Sequence, residues 1–358
     1  MNGVPCFSST LWRMPTFTSD YLLDTCSKLF CAYGAPEDEA RIAAEELVES
    51  SLLGFDSHGV MRASQYVREI REGRVRPGSP VTIVKETATT ALVDCGFNFG
   101  AVSARRMVEV ACGKAHGGIA CVVSQNSHHV GRLGAWVQRI AERDLIGLAF
   151  VNNTRGGHSV APWGGREGRL GTNPIAWAVP VAAGQTPIVM DMATCMMPEG
   201  KIRVHLHAGQ PLPEGIILDA LGRPSTDPRA FYGPPRGAIL PFGSQYGYKG
   251  FGLALLVELL GGVLAGYATA EAYPHTNGLC LIAIDPDAFC GREKFKALVE
   301  ALRDYVVSTP PMDGFGEVVM PGTIDFRIRQ QRLRDGIPLA DESWRLIVEA
   351  AAQVGLVV

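Results

Sequence analysis

Several absences narrow the field first. The chain has no block of like charges, and its formal net charge is only -3; this argues against DNA, RNA or an anionic membrane surface as the main partner. No GxGxxG follows a strand-like run and no GxxxxGKS/T occurs, so a bound nucleotide would not use a Rossmann or P-loop cradle. There is no HExxH and no CxxC. The nine cysteines, at positions 6, 26, 31, 95, 112, 121, 195, 280 and 290, are odd in number and scattered, as expected of idle thiols in a reducing cytoplasm. The opening "MNGVPCFSSTLWRMPTF" lacks the continuous apolar core of a signal peptide, and its prolines oppose a long first helix; it reads as an arm. Small molecules are the expected partners.

With 358 residues, 47% of them hydrophobic, the chain can bury a large core and is expected to form two domains. Residues 251 to 268, "FGLALLVELLGGVLAGYA", approach the length of a membrane span. Glu258 near the middle makes a buried helix of a soluble protein the better reading. Residues 19 to 53 carry apolar positions at three- and four-residue spacing, which predicts helix, and a second helix is expected from an Asp56-Ser57 cap to about residue 71. "EGRVRPGSP" ends it and marks a domain boundary. A strand pair around "VTIVKETATTALVDC", a helix over 101 to 114 and a strand-helix-strand unit (119 to 123, 132 to 142, 145 to 151) follow. Residues 187 to 190 read as a strand ending at Asp191, residues 203 to 241 as long loops, and an apolar helix begins near Lys249. A strand over 279 to 284 and further helices complete the chain.

Within "SHGVMRASQY", a helix would place His58, Arg62 and Tyr66 at i, i+4 and i+8, along one slowly drifting face. Imidazole, guanidinium and phenol together suit a small carboxylate: arginine grips it in two parallel hydrogen bonds while histidine exchanges a proton with a neighbouring oxygen. Three unconnected surface residues are the plain alternative. Asp191, interrupting "PIVMDMAT", is costly if buried without a partner, and His58 is a candidate partner; a turn Asp is the alternative. Lys249 and Gly250, at a helix start, would form an anion site, unless the lysine is merely solvated. The glycine-rich "APWGGREGRLGTNPIAWAVP" either approaches a ligand or only turns. The adjacent His128 and His129 lie where strand meets helix, a junction that often hosts sites. With His205 and His207, at alternate positions of a possible strand, they define a competing class, a metal-dependent hydrolase.

The series "DSHGVMR", "NSHHVGRLG", "APWGGREGRLGTNP", "MDMAT", "GK" at 200 to 201, "STDP", "GYKGFGLALLVELLGGVLAG" and "GIPL" resembles the malate/L-lactate dehydrogenase family, which is unrelated to Rossmann dehydrogenases. "NSHHVGRLGAW" and "GKIRVHLHAGQPLPEG" look most like its hydroxycarboxylate dehydrogenase B branch. The resemblance implies an α/β (α+β), L-sulfolactate dehydrogenase-like fold. In it, a non-Rossmann mixed-sheet cofactor domain (77 to 294) joins a helical domain from both termini (1 to 76 plus 295 to 358) that carries the substrate side and dimer contacts. It implies a homodimer that uses NAD or NADP and acts on a 2-oxo/2-hydroxy acid, or on a cyclic imino acid such as piperideine- or pyrroline-2-carboxylate. His58 matches a proton donor, Asp191 its supporting aspartate and His129 a proton acceptor. Ser57, Arg62 and Tyr66 match the substrate-side segment. Asn153, Thr172, Asn173, Asp191, Met192, Ala193, Lys249, Gly250, Pro321 and Gly322 fall on the cofactor side, and no metal is implied. Pro198, Glu199 and Thr323 depart from the family pattern.

Overall fold

The computed structural model describes residues 15–153, 157–267 and 277–358. Most of the expected arm lies outside these residues; its last two, Thr16–Phe17 (β1), pair antiparallel with Ile337 and Pro338. Two helices follow, α1 (Ser19–Ala32) and α2 (Glu37–Leu52). Thr18 caps α1 by accepting the Tyr21 amide at 3.2 Å. Glu37, Asp38 and Glu39 occupy the first turn of α2, where the helix dipole favours negative charge. Leu22, Leu29 and Phe30 pack with Leu47, Val60 and Tyr66, and Ile337, Leu339 and Ile347 complete the same core. Both ends of the chain therefore contribute to one helical layer.

The continuous helix expected over 56 to 71 does not form. Two single turns of 3-10 helix, Asp56–His58 and Val60–Arg62, precede α3 (Ala63–Arg71). Gly59 between them is extended and lies hard against α2. A Cβ there would meet Ser51 Oγ at 2.1 Å, and that same hydroxyl accepts the Val60 amide at 3.0 Å. Packing and one hydrogen bond thus override local helix preference.

The larger core lies on a mixed sheet. Its first members are β2 (Thr82–Glu86), β3 (Thr90–Asp94), β4 (Ile119–Gln125), β5 (Ile146–Asn153), β6 (Ile175–Val179) and β7 (Ile188–Met192), with helices α4 (Gly100–Lys114) and α5 (Gly134–Ala141) against it. A small lobe follows: α6 (Glu199–His207), β8 (Ile217–Leu218), β9 (Pro224–Ser225), α7 (Pro228–Tyr232) and β10 (Ala238–Ile239), built around Val160, Ile202, Ile216 and Phe231. This replaces the long loops expected there. Strands of two residues are too short to show a period of two in sequence.

Helix α8 (Tyr248–Val257) continues through a π-helical turn, Glu258–Gly262, into the 3-10 turn Val263–Ala265. By length and composition alone the Tyr248–Ala265 run would suit a membrane. Glu258, however, is buried and accepts from Asn152 Nδ2 at 3.0 Å and Asn173 Nδ2 at 2.9 Å. Near the far end of the run the helix touches the sheet backbone to backbone: a Cβ on Gly278 would sit 2.1 Å from Gly261 O. Gly278 belongs to β11 (Asn277–Ile284), which inserts between β4 and β5. The resulting order is β2-β3-β4-β11-β5-β6-β7, and only β3 and β4 run parallel. Strands β4 and β5 of the expected strand-helix-strand unit are therefore not neighbours. The chain closes with α9 (Arg292–Val307), α10 (Thr323–Asp335), β12 (Ile337–Pro338) and α11 (Asp341–Ala352). Helix α10, unanticipated in the sequence, buries no residue fully, so its apolar periodicity is faint.

Candidate active site

The interrupted segment after α2 and the loop between β4 and α5 meet in a cluster of imidazoles. Ser57 Oγ lies 2.9 Å from His58 Nδ1. The His58 and His129 rings stack with centroids 5.5 Å apart and planes at 24°. Tyr66 brings its hydroxyl to 2.7 Å from His129 Nδ1. Arg62 donates through Nε to Ser57 O at 2.6 Å and through Nη1 to Gln65 Oε1 at 2.5 Å, which leaves Nη2 unused among the described residues. Ser57, His58, Arg62, Tyr66 and His129 are thus assembled as the spacing hinted, although not on one helix face. The Gly59 turn folds His58 back while α3 carries Tyr66 inward. The histidine loop rests on the start of α4, where a Cβ on Gly100 would meet His129 O at 2.1 Å.

Both imidazoles are poised uncharged. Burial, then the Arg62 and Arg132 guanidiniums, push His58 down to about 4. Burial followed by Arg62, His58 and His128 holds His129 well below the ordinary histidine range. Burial raises the Tyr66 phenol, so it stays a donor or acceptor rather than an anion. An uncharged His58 whose Nδ1–H faces the Ser57 hydroxyl has Nε2 available as a base.

The expected His58–Asp191 pair is not formed. Asp191 sits within β7 and accepts the Gly134 amide, at the start of α5, at 2.6 Å. Burial raises its carboxyl, opposed by Arg132 and the Gly134 bond. Sequence reasoning missed this arginine. Arg132 is 4% exposed, lies over the Phe55 ring at 5.5 Å and acts electrostatically on His58, Asp191 and Asp325. Its charge therefore acts on both the histidine and the aspartate that was expected to touch it. Its position inside "HHVGRLG" was the only available signal.

His128, without a role in the sequence, lies 2.8 Å through Nε2 from Glu69 Oε2, both side chains 6% exposed. His205 and His207 fall on α6, not on a strand; residues two apart on a helix diverge. His205 instead meets Pro211 O at 3.0 Å. The four histidines do not converge, and among the described residues no three His, Cys, Asp or Glu side chains form a metal-holding group.

On the expected cofactor side, Asn173 is buried in the left-handed region, φ 43°. Its Nδ2 also bonds Ala254 O at 3.0 Å, and its Oδ1 has no partner. Thr172 O accepts the Thr194 amide at 3.0 Å, and Asn153 accepts from Asn277. Met192 ends β7 and Ala193 follows it. Pro321 O accepts the Val189 amide at 3.2 Å, which sets Gly322, φ +88°, against the same strand. Lys249 is exposed, with Nζ 5.4 Å from the Tyr246 ring centroid and no ion pair among the described residues. The Gly250 amide is already used by Phe242 O at 3.1 Å, so the ammonium is the anion-seeking group of this stretch. Of the departures, Pro198 caps α6 and Thr323 begins α10. Glu199 is engaged by Tyr232 Oη and Arg203 Nη2, both at 2.7 Å.

A mixed sheet with no Rossmann cradle, joined to a helical layer that carries an imidazole-arginine-phenol cluster, defines a non-Rossmann α/β class. The chain belongs to the malate/L-lactate dehydrogenase family, which matches residues 17–348. It is 34% identical to hydroxycarboxylate dehydrogenase B of Escherichia coli over 348 residues, 95% of this chain and 94% of the relative. It is 36% identical to L-sulfolactate dehydrogenase of Methanocaldococcus jannaschii over 332 residues, 90% and 93% of the two chains. The solved malate dehydrogenase of Pyrococcus horikoshii superposes with a TM-score of 0.86 at 30% identity, covering 98% of each chain.

Proposed function

We infer that the protein is an oxidoreductase that moves a hydride between a nicotinamide cofactor, NAD or NADP, and C2 of a 2-oxo/2-hydroxy carboxylic acid. The observation that carries this is the stacked, uncharged His58 beside an arginine with an unused Nη2. Family membership supplies the reaction class. The residues fit a nicotinamide dinucleotide: an unpaired ammonium at Lys249 suits a phosphate, and the orphaned Asn173 Oδ1 is an acceptor for an amide donor. Met192, Ala193, Pro321 and Gly322 would line it. Bound there, the nicotinamide supplies the hydride acceptor or donor.

The protein's own part is proton transfer and grip. In oxidation, His58 Nε2 takes the substrate hydroxyl proton while Nδ1–H is held by Ser57 Oγ. Arg62 holds the carboxylate with the guanidinium edge left free by Ser57 and Gln65. In reduction, the bound carboxylate offsets the Arg62 charge and raises the imidazole towards the protonated form it must donate from. His129, oriented by Tyr66, stacks beside His58 on the same side of the cluster.

The protein acts as a homodimer in the cytoplasm. Support for the dimer is apolar surface on α8 and α9: Leu255, Leu298 and Leu302 are exposed, and Tyr305 is 77% exposed. The eight described cysteines are free thiols, in keeping with a reducing compartment. The test is absorbance at the reduced-nicotinamide band with both cofactors across 2-oxo acids and cyclic imines, with and without chelator. Turnover of a 2-oxo acid that survives chelator is the expected result; loss of activity to chelator, or turnover of imines alone, overturns it.

A further inference from the structure

The histidine loop and the arginine are both anchored to one helix, and the anchors converge on one carboxylate. Arg62 Nη1 donates to Gln65 Oε1 at 2.5 Å, and Gln65 Nε2 donates to Glu69 Oε1 at 3.1 Å. Glu69 Oε1 also accepts from Arg74 Nη1 at 2.7 Å, while Oε2 faces His128 Nε2 at 2.8 Å. Glu69 is 5% exposed. Residues 65, 66 and 69 all lie on α3, so one helix holds Arg62 through Gln65, His129 through Tyr66 and His128 through Glu69.

The polarity of this chain matters. A glutamine amide has two interchangeable ends, and only its oxygen end can receive Arg62. A carboxylate accepts and never donates, so Glu69 forces the NH2 end of Gln65 towards itself and the carbonyl towards the arginine. Its other oxygen, Oε2, lies 2.8 Å from His128 Nε2 and so draws that imidazole, and the loop that carries it, onto α3. We propose that Glu69 is a positioning residue of the active site, acting through Gln65 on the carboxylate-gripping Arg62 and through His128 on the loop that presents His129. This rests on the reading of Arg62 as the carboxylate contact. Glu69→Gln would keep the shape but could turn either end of its own amide towards Gln65 and Arg74, so the fixed acceptor that holds the Gln65 NH2 end would be lost.

The test is steady-state kinetics on a 2-hydroxy acid with wild type, Arg62→Lys, Gln65→Leu, the double variant and Glu69→Gln, with thermal midpoints alongside. Gln65→Leu is expected to raise KM for the acid about tenfold with kcat within about twofold. The double variant is expected to bind no worse than about twofold beyond Arg62→Lys, because both changes break one chain. Glu69→Gln is expected to raise KM and also to lower kcat, since it releases both anchors. Additive effects of Gln65→Leu and Arg62→Lys, or wild-type kinetics for Glu69→Gln, overturn the proposal while leaving Arg62 as the carboxylate contact. An Arg62→Lys enzyme with wild-type KM sinks the carboxylate reading itself, and the proposal with it. If Glu69→Gln fails to fold, Glu69→Asp, which keeps the acceptor but draws it back from Gln65 and His128, takes its place: a raised KM is expected, and wild-type kinetics overturn the proposal.

Discussion

At the scale of single residues, His58 is the group whose state decides the chemistry. Its pKa of about 4 leaves the base form present across neutral pH. With substrate and cofactor subsaturating, kcat/KM for hydroxy-acid oxidation should therefore hold a plateau down to about pH 5 and fall only below it. Arg132→Met removes a cation that disfavours the imidazolium, so the acid limb should move to higher pH; a limb that stays put would show that Arg132 does not act on His58. Replacing His58 with Ala should cost roughly 10²–10⁴ in kcat, whereas His129→Ala, if its part is orientation, should cost less. A reversed order assigns the proton to His129. Glu69 illustrates how a residue escapes sequence reading: one of two acids among the arginines of "YVREIREG" looks like part of a solvated helix face, and only its burial beside His128 gives it weight.

At the scale of elements, the Gly59 turn determines whether the cluster exists. Gly59→Ala would drive a methyl into Ser51 Oγ and should destabilise the protein by about 1–3 kcal/mol while raising KM. Adding Ser51→Ala should recover part of the stability, as read by denaturant midpoints. Long periodic elements were legible: α1, α2, α4 and β5 follow their apolar spacing because burial on one face dictates composition. The 56–71 segment was misread because no local signal reports that a serine on the previous helix will take the Val60 amide. The insertion of β11 between β4 and β5 was equally hidden, since pairing across more than a hundred residues leaves no mark in either strand. The His58, Arg62 and Tyr66 spacing pointed to residues that do assemble, although by a different backbone path. The supporting Gln65 and Glu69 had no pattern to betray them, and Arg132 had only its place in the histidine loop.

At the scale of the whole molecule, burial of uncharged histidines makes the fold sensitive to acid. His58 and His129 have folded pKa values below the ordinary 6.5, so the unfolded chain takes up protons first. Stability should be level above about pH 6.5 and decline as pH falls towards 4. Glu69 has the opposite history: burial alone would raise it, but His128, Gln65 and Arg74 hold it at about 2. Its contribution is present above about 4.5 and is lost below that, steepening the same decline. Thermal midpoints against pH should show both phases, and His58→Gln should flatten the upper one. The contact between Gly261 and Gly278 makes the run that begins at Tyr248 a lever. Its pinned end is twelve residues from Lys249, roughly 18 Å at 1.5 Å per residue, and neither glycine has room for a methyl. A one-carbon change at that contact, Gly278→Ala, should therefore displace the whole run and be read near Lys249 as weaker cofactor binding, with the chemistry at His58 left intact.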